Sequence, residues 1–134
     1  MERNQAEWTA VFLAAAELTR RGHRVSFTLG QNAPLADLVV RAPSGKTFIV
    51  DVKGKCRPGR WVVKPKAPTS DLYYVLVRMG MCPAGLARDQ DRFYVMDQAS
   101  ASTLIRFNET HPGLSGFSSE AAGEYLGAWD RLPV

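Results

Sequence analysis

The chain has 134 residues, of which 46% are hydrophobic and 22% charged, so one soluble domain with its own core is expected. Its net charge of +4 permits a polyanionic partner without requiring one. The two cysteines and two histidines show no metal-ligand spacing, and no apolar run approaches membrane-spanning length. We therefore expect neither a zinc site nor a signal peptide or membrane helix, and the default location is cytoplasmic.

The first predicted element is a helix over residues 4–21. Trp8, Val11 and Leu18 recur at helical spacing, and Gly22 follows as a C-cap. The alternating segment after it, Arg24–Leu29, predicts a strand.

A β-hairpin is predicted next. Its strands are Asp37–Arg41 and Thr47–Lys53, joined by Pro43-Ser44-Gly45. Proline suits the first central position of a type I turn, and glycine suits the left-handed residue that follows, which together predict a three-residue loop.

This loop length fixes which residues face each other across the hairpin. Counting outward from the turn places Asp37 opposite Asp51, and directly opposed residues lie on one face of a sheet. Lys53 shares that face, because strand side chains alternate with period two. A loop one residue shorter or longer would move Asp37 to the other face.

The remaining segments predict three strands and two helices. The strands are Trp61–Lys64, Asp71–Met79 and Arg92–Asp97, and the helices cover residues 98–109 and 118–132. Helix, then strands, then helices is typical of an α/β protein of the mixed α+β kind, with a central mixed sheet flanked by helices.

Two adjacent carboxylates repel each other unless a cation lies between them. That cation is either a lysine or a divalent metal, and carboxylate oxygens suit Mg²⁺ or Mn²⁺. Mg²⁺ held in this way usually completes its shell with water and phosphate oxygens, and a neighbouring lysine can serve the attacking water or the phosphate.

The pattern Asp37, thirteen residues, Asp51, one residue, Lys53 resembles the core motif of the PD-(D/E)XK nuclease superfamily. "ADLVV", the turn and "FIVDVKGK" appear in the superfamily's order. The resemblance covers about residues 7–97 and is to small members akin to Holliday-junction resolvases and restriction endonucleases. It implies a restriction-endonuclease-like αβββαβ core over about residues 5–97, followed by a helical cap over about residues 98–134.

The resemblance also implies an acidic residue on the first helix that completes the metal site. Glu7 is the preferred candidate because it shares a stripe with Val11 and Leu18, and Glu17 is the other. Alternatively, Glu7 simply complements the helix dipole.

A basic segment follows the motif and suits contact with a phosphate backbone. Its candidate nucleic-acid-binding residues are Lys55, Arg57, Arg60, Trp61, Lys64 and Lys66. Trp61 has two interpretations: it stacks on a base or sugar, or it packs on the sheet.

The function expected from these features is metal-dependent cleavage of DNA, branched or duplex, by an endonuclease that uses Mg²⁺ or Mn²⁺. Asp37, Asp51 and Glu7 would bind the metal, and Lys53 would act with them in catalysis. Two alternatives stay open: a catalytically inactive nucleic-acid-binding module of the same fold, and a protein-interaction or oligomerisation domain. A chain of this size has little surface for reading a long site, so a homodimer is expected.

Overall fold

The computed structural model describes residues 3–28, 36–56, 59–80 and 90–134. Within these ranges the chain forms two α-helices and seven strands. In chain order they are α1 (Arg3–Arg20), β1 (Arg24–Phe27), β2 (Leu38–Arg41), β3 (Thr47–Lys55), β4 (Arg60–Val62), β5 (Leu72–Arg78), β6 (Arg92–Asp97), α2 (Gln98–Leu104) and β7 (Gly116–Ser118).

Five of the strands form one mixed sheet in the order β1-β2-β3-β5-β6. β3 and β5 run parallel, whereas the other neighbouring pairs are antiparallel. β4 and β7 form a separate two-stranded antiparallel ribbon. The mixed α+β class predicted from the sequence is therefore confirmed.

The hairpin between β2 and β3 has the predicted register. Arg41 pairs with Thr47 and Val39 pairs with Ile49. Gly45 has a φ of 95°, the left-handed conformation that the three-residue loop requires at that position. The position of Asp37 opposite Asp51 is predicted by counting from this turn, and the observed pairs agree with that count as far as Leu38 and Val50.

One face of the sheet is covered by α1, and we call it the helix face. Ala10, Ala14 and Leu18 of α1 are fully buried there and belong to one core with Val50 and Val52 of β3. The small alanines let the helix lie close to the sheet, and burial of the aliphatic side chains between them is the main stabilising contribution on this face.

The opposite face is covered by the β4–β7 ribbon and α2, and we call it the ribbon face. Trp61, Val63 and Phe117 pack there with Tyr74 and Leu76 of β5 in a second core. Since strand residues alternate between faces, the odd-numbered residues of β3 lie on the ribbon face and the even-numbered ones on the helix face.

The crossover from β3 to the parallel strand β5 differs from an αβββαβ core. That core has a helix at this point, whereas residues 59–71 contain β4 and otherwise non-helical backbone. β4 alternates between exposed and buried residues, and its one inward side chain, Trp61, packs on the ribbon face where that core would have a helix.

The predicted C-terminal helices are wrong in extent. α2 ends at Leu104 rather than near residue 109. The segment expected to form a closing helix begins at the last residue of β7 and contains two short 3₁₀ turns, Gly123–Tyr125 and Trp129–Arg131. Gly127 between these turns has a φ of 65°, a left-handed backbone that ends a helical run. Among the described residues, none of the helices has the length and apolar character needed to cross a membrane.

Candidate functional site

Asp37 lies where the β2–β3 ladder ends. Its backbone N–H donates to the Val50 carbonyl at 3.0 Å, and its carboxylate Oδ2 accepts from the Val52 N–H at 2.7 Å. The carbonyl of the preceding residue, Ala36, accepts a hydrogen bond from the Thr28 hydroxyl at 2.6 Å. The Asp37 side chain thus takes the place of a ladder partner, and this hydrogen bond holds its carboxyl beside Asp51 on the ribbon face.

Asp51 is buried in the middle of β3, with only 4% of its surface exposed. The Lys53 ammonium lies 3.5 Å from Oδ1, and the Lys66 ammonium lies 3.0 Å from Oδ2. Both oxygens therefore face a lysine. A buried carboxylate needs such compensation, because burying an unpaired ion costs on the order of several kcal/mol.

The surroundings of Asp37 change the pKa of its carboxyl group. Burial raises the pKa of Asp37 to about 6; the Val52 N–H opposes this shift, the hydrogen bond and charge of Asp51 add to it, and Lys53 lowers the value. On the neighbouring strand, burial first and the Asp51 charge second raise the pKa of Tyr74 to about 12. The Asp37 carboxyl therefore keeps its proton to a higher pH than an ordinary exposed aspartate, whose pKa is 3.8.

Lys66 reaches Asp51 from the segment 64–70, which we call the strap. Gln98, the first residue of α2, fastens it: the side-chain carbonyl accepts from the Thr69 N–H at 2.7 Å, and the side-chain amide donates to the Ala67 carbonyl at 3.0 Å. Gln98 is buried, and its position is fixed because α2 begins directly after β6, capped by Asp97.

Sequence reasoning missed Gln98 and assigned Lys66 only to phosphate contact. The partners of Gln98 in the strap lie about thirty residues away along the chain, and no local pattern marks such a contact. The one available signal was the charge balance, since two adjacent carboxylates and one lysine leave room for a second cation.

Glu7 is not brought to this pair. It is exposed on α1, which covers the helix face, whereas Asp37 and Asp51 face the ribbon side. In the described ranges no three Asp, Glu, His or Cys side chains gather as one set of metal ligands. The shared stripe with Val11 therefore placed Glu7 near the wrong surface of the sheet.

Trp61 is a core residue rather than a stacking platform. It is 1% exposed, its indole N–H donates to the Val77 carbonyl at 3.1 Å, and its ring lies 5.1 Å from that of Tyr94. The Lys55 ammonium lies over the same ring, 4.1 Å from its centroid, and donates to the Gly59 carbonyl. Stacking on a base by Trp61 is excluded by this burial.

The other cations of the basic segment divide into three groups. Arg60 and Lys64 are exposed, as a phosphate contact requires, and Lys66 is engaged with Asp51. The prediction for Arg57 lies outside the described residues.

The donor set is compatible with a hard divalent cation. Mg²⁺ is commonly held by one or two carboxylates and completes its octahedral shell with waters and phosphate oxygens. Asp37 and Asp51 supply two carboxylates side by side, which meets that minimum. Lys66 occupies Oδ2 of Asp51, so a metal ligated through that oxygen requires the lysine to move.

Comparisons with known proteins add no relative to this picture. No family model matches the chain, and the searches of curated proteins and of solved structures return no match either.

Proposed function

We propose that the chain is a Mg²⁺- or Mn²⁺-dependent endonuclease of the PD-(D/E)XK kind that cleaves DNA phosphodiester bonds. The observation that carries the proposal is the convergence of Asp37, Asp51 and Lys53 on one face of the sheet, with the Lys53 ammonium 3.5 Å from Asp51. Two acids that fold together at a cost in repulsion, beside a lysine, indicate a site selected for binding a cation and an anion together.

In this proposal Asp37 and Asp51 hold the metal, which supplies Lewis-acid stabilisation of charge developing on the phosphate. Asp37 reaches its ligating, deprotonated form as the pH rises through its pKa of about 6. Lys53, on the same strand face as Asp51, positions the attacking water or neutralises charge on the phosphate. Burial beneath the strap excludes bulk water from Asp51, which strengthens its attraction for a cation.

The order of the first elements supports the same assignment. α1 precedes the strands β1, β2 and β3, and β3 has the parallel neighbour β5. Asp37 directly precedes β2 and Asp51 lies within β3, an order that supports the resemblance to the PD-(D/E)XK motif. In the restriction-endonuclease-like core that we propose, β4 and the strap replace the crossover helix.

Cleavage by matched carboxylate variants tests the proposal. Purified protein is incubated with supercoiled plasmid and with branched DNA, in Mg²⁺, in Mn²⁺ and in EDTA. We expect nicking that requires the metal and that falls about a hundredfold or more in Asp51→Asn, which loses a metal ligand.

Asp71→Asn is the matched control, because Asp71 is an exposed carboxylate with one surface ion pair, to Lys46 at 3.2 Å. Surface pairs contribute about 0–1 kcal/mol, so this variant should cut like the wild type. Absence of cleavage on every substrate with both metals would refute the nuclease, and full activity in Asp51→Asn would refute the assigned site.

A nucleic-acid-binding module without catalysis is the second candidate. It is favoured by one observation: both Asp51 oxygens already face lysines. Such a module binds DNA with a steep salt dependence but shows no Mn²⁺ binding by calorimetry, whereas the nuclease shows both.

The expected homodimer stays a prediction. Its test is the mass of the protein in solution by light scattering. We would direct disrupting substitutions to the exposed aromatic side chains of Trp8, Phe12 and Phe27, whose successive ring centroids lie 5.6 Å apart, because contiguous exposed apolar surface is typical of interaction sites.

A further inference from the structure

Three cations stand in one row across three neighbouring strands. Lys55 of β3 pairs with Arg78 of β5, and Arg78 pairs with Arg92 of β6. All three side chains belong to the ribbon face, because each lies two residues along its strand from a residue of that face. These neighbours are Lys53 on β3, Leu76 on β5 and Tyr94 on β6. The row therefore crosses the sheet on the face that also carries Asp51.

Directly opposed like charges destabilise a sheet. Burial and then the charge of Arg78 lower the pKa of Lys55, and the carboxylate of Glu120 partly offsets them. Glu120 is fully exposed. Its pKa is lowered first by a hydrogen bond that its carboxylate accepts from its own backbone N–H and, among smaller causes, by Lys55 and Arg78. Among the described residues, the carboxylate of Glu120 thus acts on both Lys55 and Arg78, so that one negative charge opposes two of the positive charges in the row.

The row is accessible at its outer end and continuous with the acid pair at its inner end. Arg92 is exposed, and Lys55 and Arg78 are half-buried. Along β3 the ribbon face carries Asp51, Lys53 and Lys55 in succession, each about 7 Å from the next at the rise of a β-strand. Neighbouring strands add about 4.8 Å per step across the row.

We propose that Lys55, Arg78 and Arg92 bind the phosphate backbone of DNA and lead one strand across the sheet edge toward Asp51. This inference rests on the proposed function for what happens at Asp51, but the contact to the backbone does not require cleavage. Arg78 and Arg92 belong to strands outside the basic segment, and their placement follows from sheet register alone. A flexible polyanion suits such a row, because phosphate contacts position a nucleic acid without reading its sequence.

Salt-dependent binding tests the row. Anisotropy of a short labelled DNA duplex is measured in EDTA across about 50–200 mM salt, for wild type, Arg78→Gln, Arg92→Gln and the double variant. Each lost phosphate contact should flatten the slope of log K against log salt by about 0.9, and the double variant by about twice that. Thermal unfolding of each variant confirms that the fold is kept.

Arg24→Gln is the matched control, because Arg24 is also an exposed arginine at the end of an edge strand, on the far edge of the same sheet. Its slope should equal that of the wild type. The proposed phosphate contacts would be refuted by unchanged slopes in Arg78→Gln and Arg92→Gln, or by an equal reduction of the slope in Arg24→Gln. They would also be refuted if the wild type did not bind the duplex at low salt.

The outcome separates this inference from the nuclease itself. Flattened slopes in the variants, together with no cleavage by the wild type, would support the phosphate contacts and refute the nuclease. Cleavage by the wild type with unchanged slopes in the variants would support the nuclease and refute the phosphate contacts.

Discussion

The two faces of the central sheet are built from the same strands but by different means. On the helix face, α1 covers aliphatic residues such as Val50 and Val52, and burial alone accounts for their placement. On the ribbon face, the alternate residues of β3 are Thr47, Ile49, Asp51, Lys53 and Lys55, and three of those five carry charge. One strand therefore supports a dry core on one side and a polar site on the other.

The difference shows how period-two alternation separates stability from chemistry. The charged residues of β3 stay out of the aliphatic core because their neighbours in sequence take that face. The ribbon face, in turn, depends on long-range polar contacts: the strap, Gln98 and Lys66 together satisfy Asp51. The helix face should thus respond to packing changes, and the ribbon face to both packing and charge.

The largest expected effect on stability comes from adding a methyl group on each face. A Cβ at Gly116 in β7 would lie 1.8 Å from the Trp61 carbonyl oxygen, and one at Gly54 in β3 would lie 2.4 Å from the Ala10 Cβ. Gly116→Ala should lower the free energy of unfolding by about 3 kcal/mol or more, since the paired backbone of the ribbon cannot move away. Gly54→Ala should lower it by about 1–3 kcal/mol, because α1 can shift. Urea unfolding measures both values.

Gly113→Ala is the control for this pair, since a Cβ there meets nothing within 4 Å. It should leave the free energy of unfolding nearly unchanged. If Gly54→Ala proved more costly than Gly116→Ala, the helix face would be the more tightly packed of the two.

The next effect concerns charge on the ribbon face. Lys66→Met removes the ammonium that lies 3.0 Å from Asp51 Oδ2 and would compete with a metal for that oxygen. Mn²⁺ affinity measured by calorimetry should rise about tenfold, equivalent to about 1.4 kcal/mol. Lys64→Met removes the same charge from an exposed position on the same strap and should change affinity little. Equal or weaker Mn²⁺ binding in Lys66→Met would show that Lys66 does not compete.

The smallest effect is a pH dependence carried by Asp37. Its pKa in the folded protein is about 6 against an ordinary 3.8, so the proton is bound more tightly after folding. The stability this supplies is complete below about pH 4 and is lost as the pH rises through about 6. Relative to Asp37→Asn, the wild type should therefore lose about 1 kcal/mol between pH 4 and 7, after allowance for solvent screening. A constant difference between the two proteins across this range would contradict the raised pKa.

Local features made the helix face and the hairpin predictable. The period of α1 and the turn Pro43–Gly45 act over a few residues, and the register of the hairpin, from Arg41 opposite Thr47 to Leu38 opposite Val50, follows from the turn by counting. The site's remaining parts are non-local. Lys66 and Asp51 are fifteen residues apart in the sequence, and Gln98 is about thirty residues from its partners in the strap. Contacts over such separations produce no local sequence pattern from which they can be predicted.

Two errors have a physical cause of the same kind. Glu7 was judged from its helical stripe, but which face of the sheet α1 covers is decided by tertiary packing. Trp61 lay within a run of cations, yet the inward side of β4 buries it against Tyr94 and Phe117. A basic composition describes the outer side of such a strand and says nothing about its inner side.

The most direct test of the metal-dependent site is a crystal structure of the protein soaked in Mn²⁺, with the ion located by its anomalous scattering. We expect Mn²⁺ between the carboxylates of Asp37 and Asp51, with metal–oxygen distances of about 2.1 Å, as for a small octahedral cation. The Lys66 ammonium should then have left Asp51 Oδ2. No Mn²⁺ at this pair, with Lys66 still bound to Asp51, would contradict the proposed metal site.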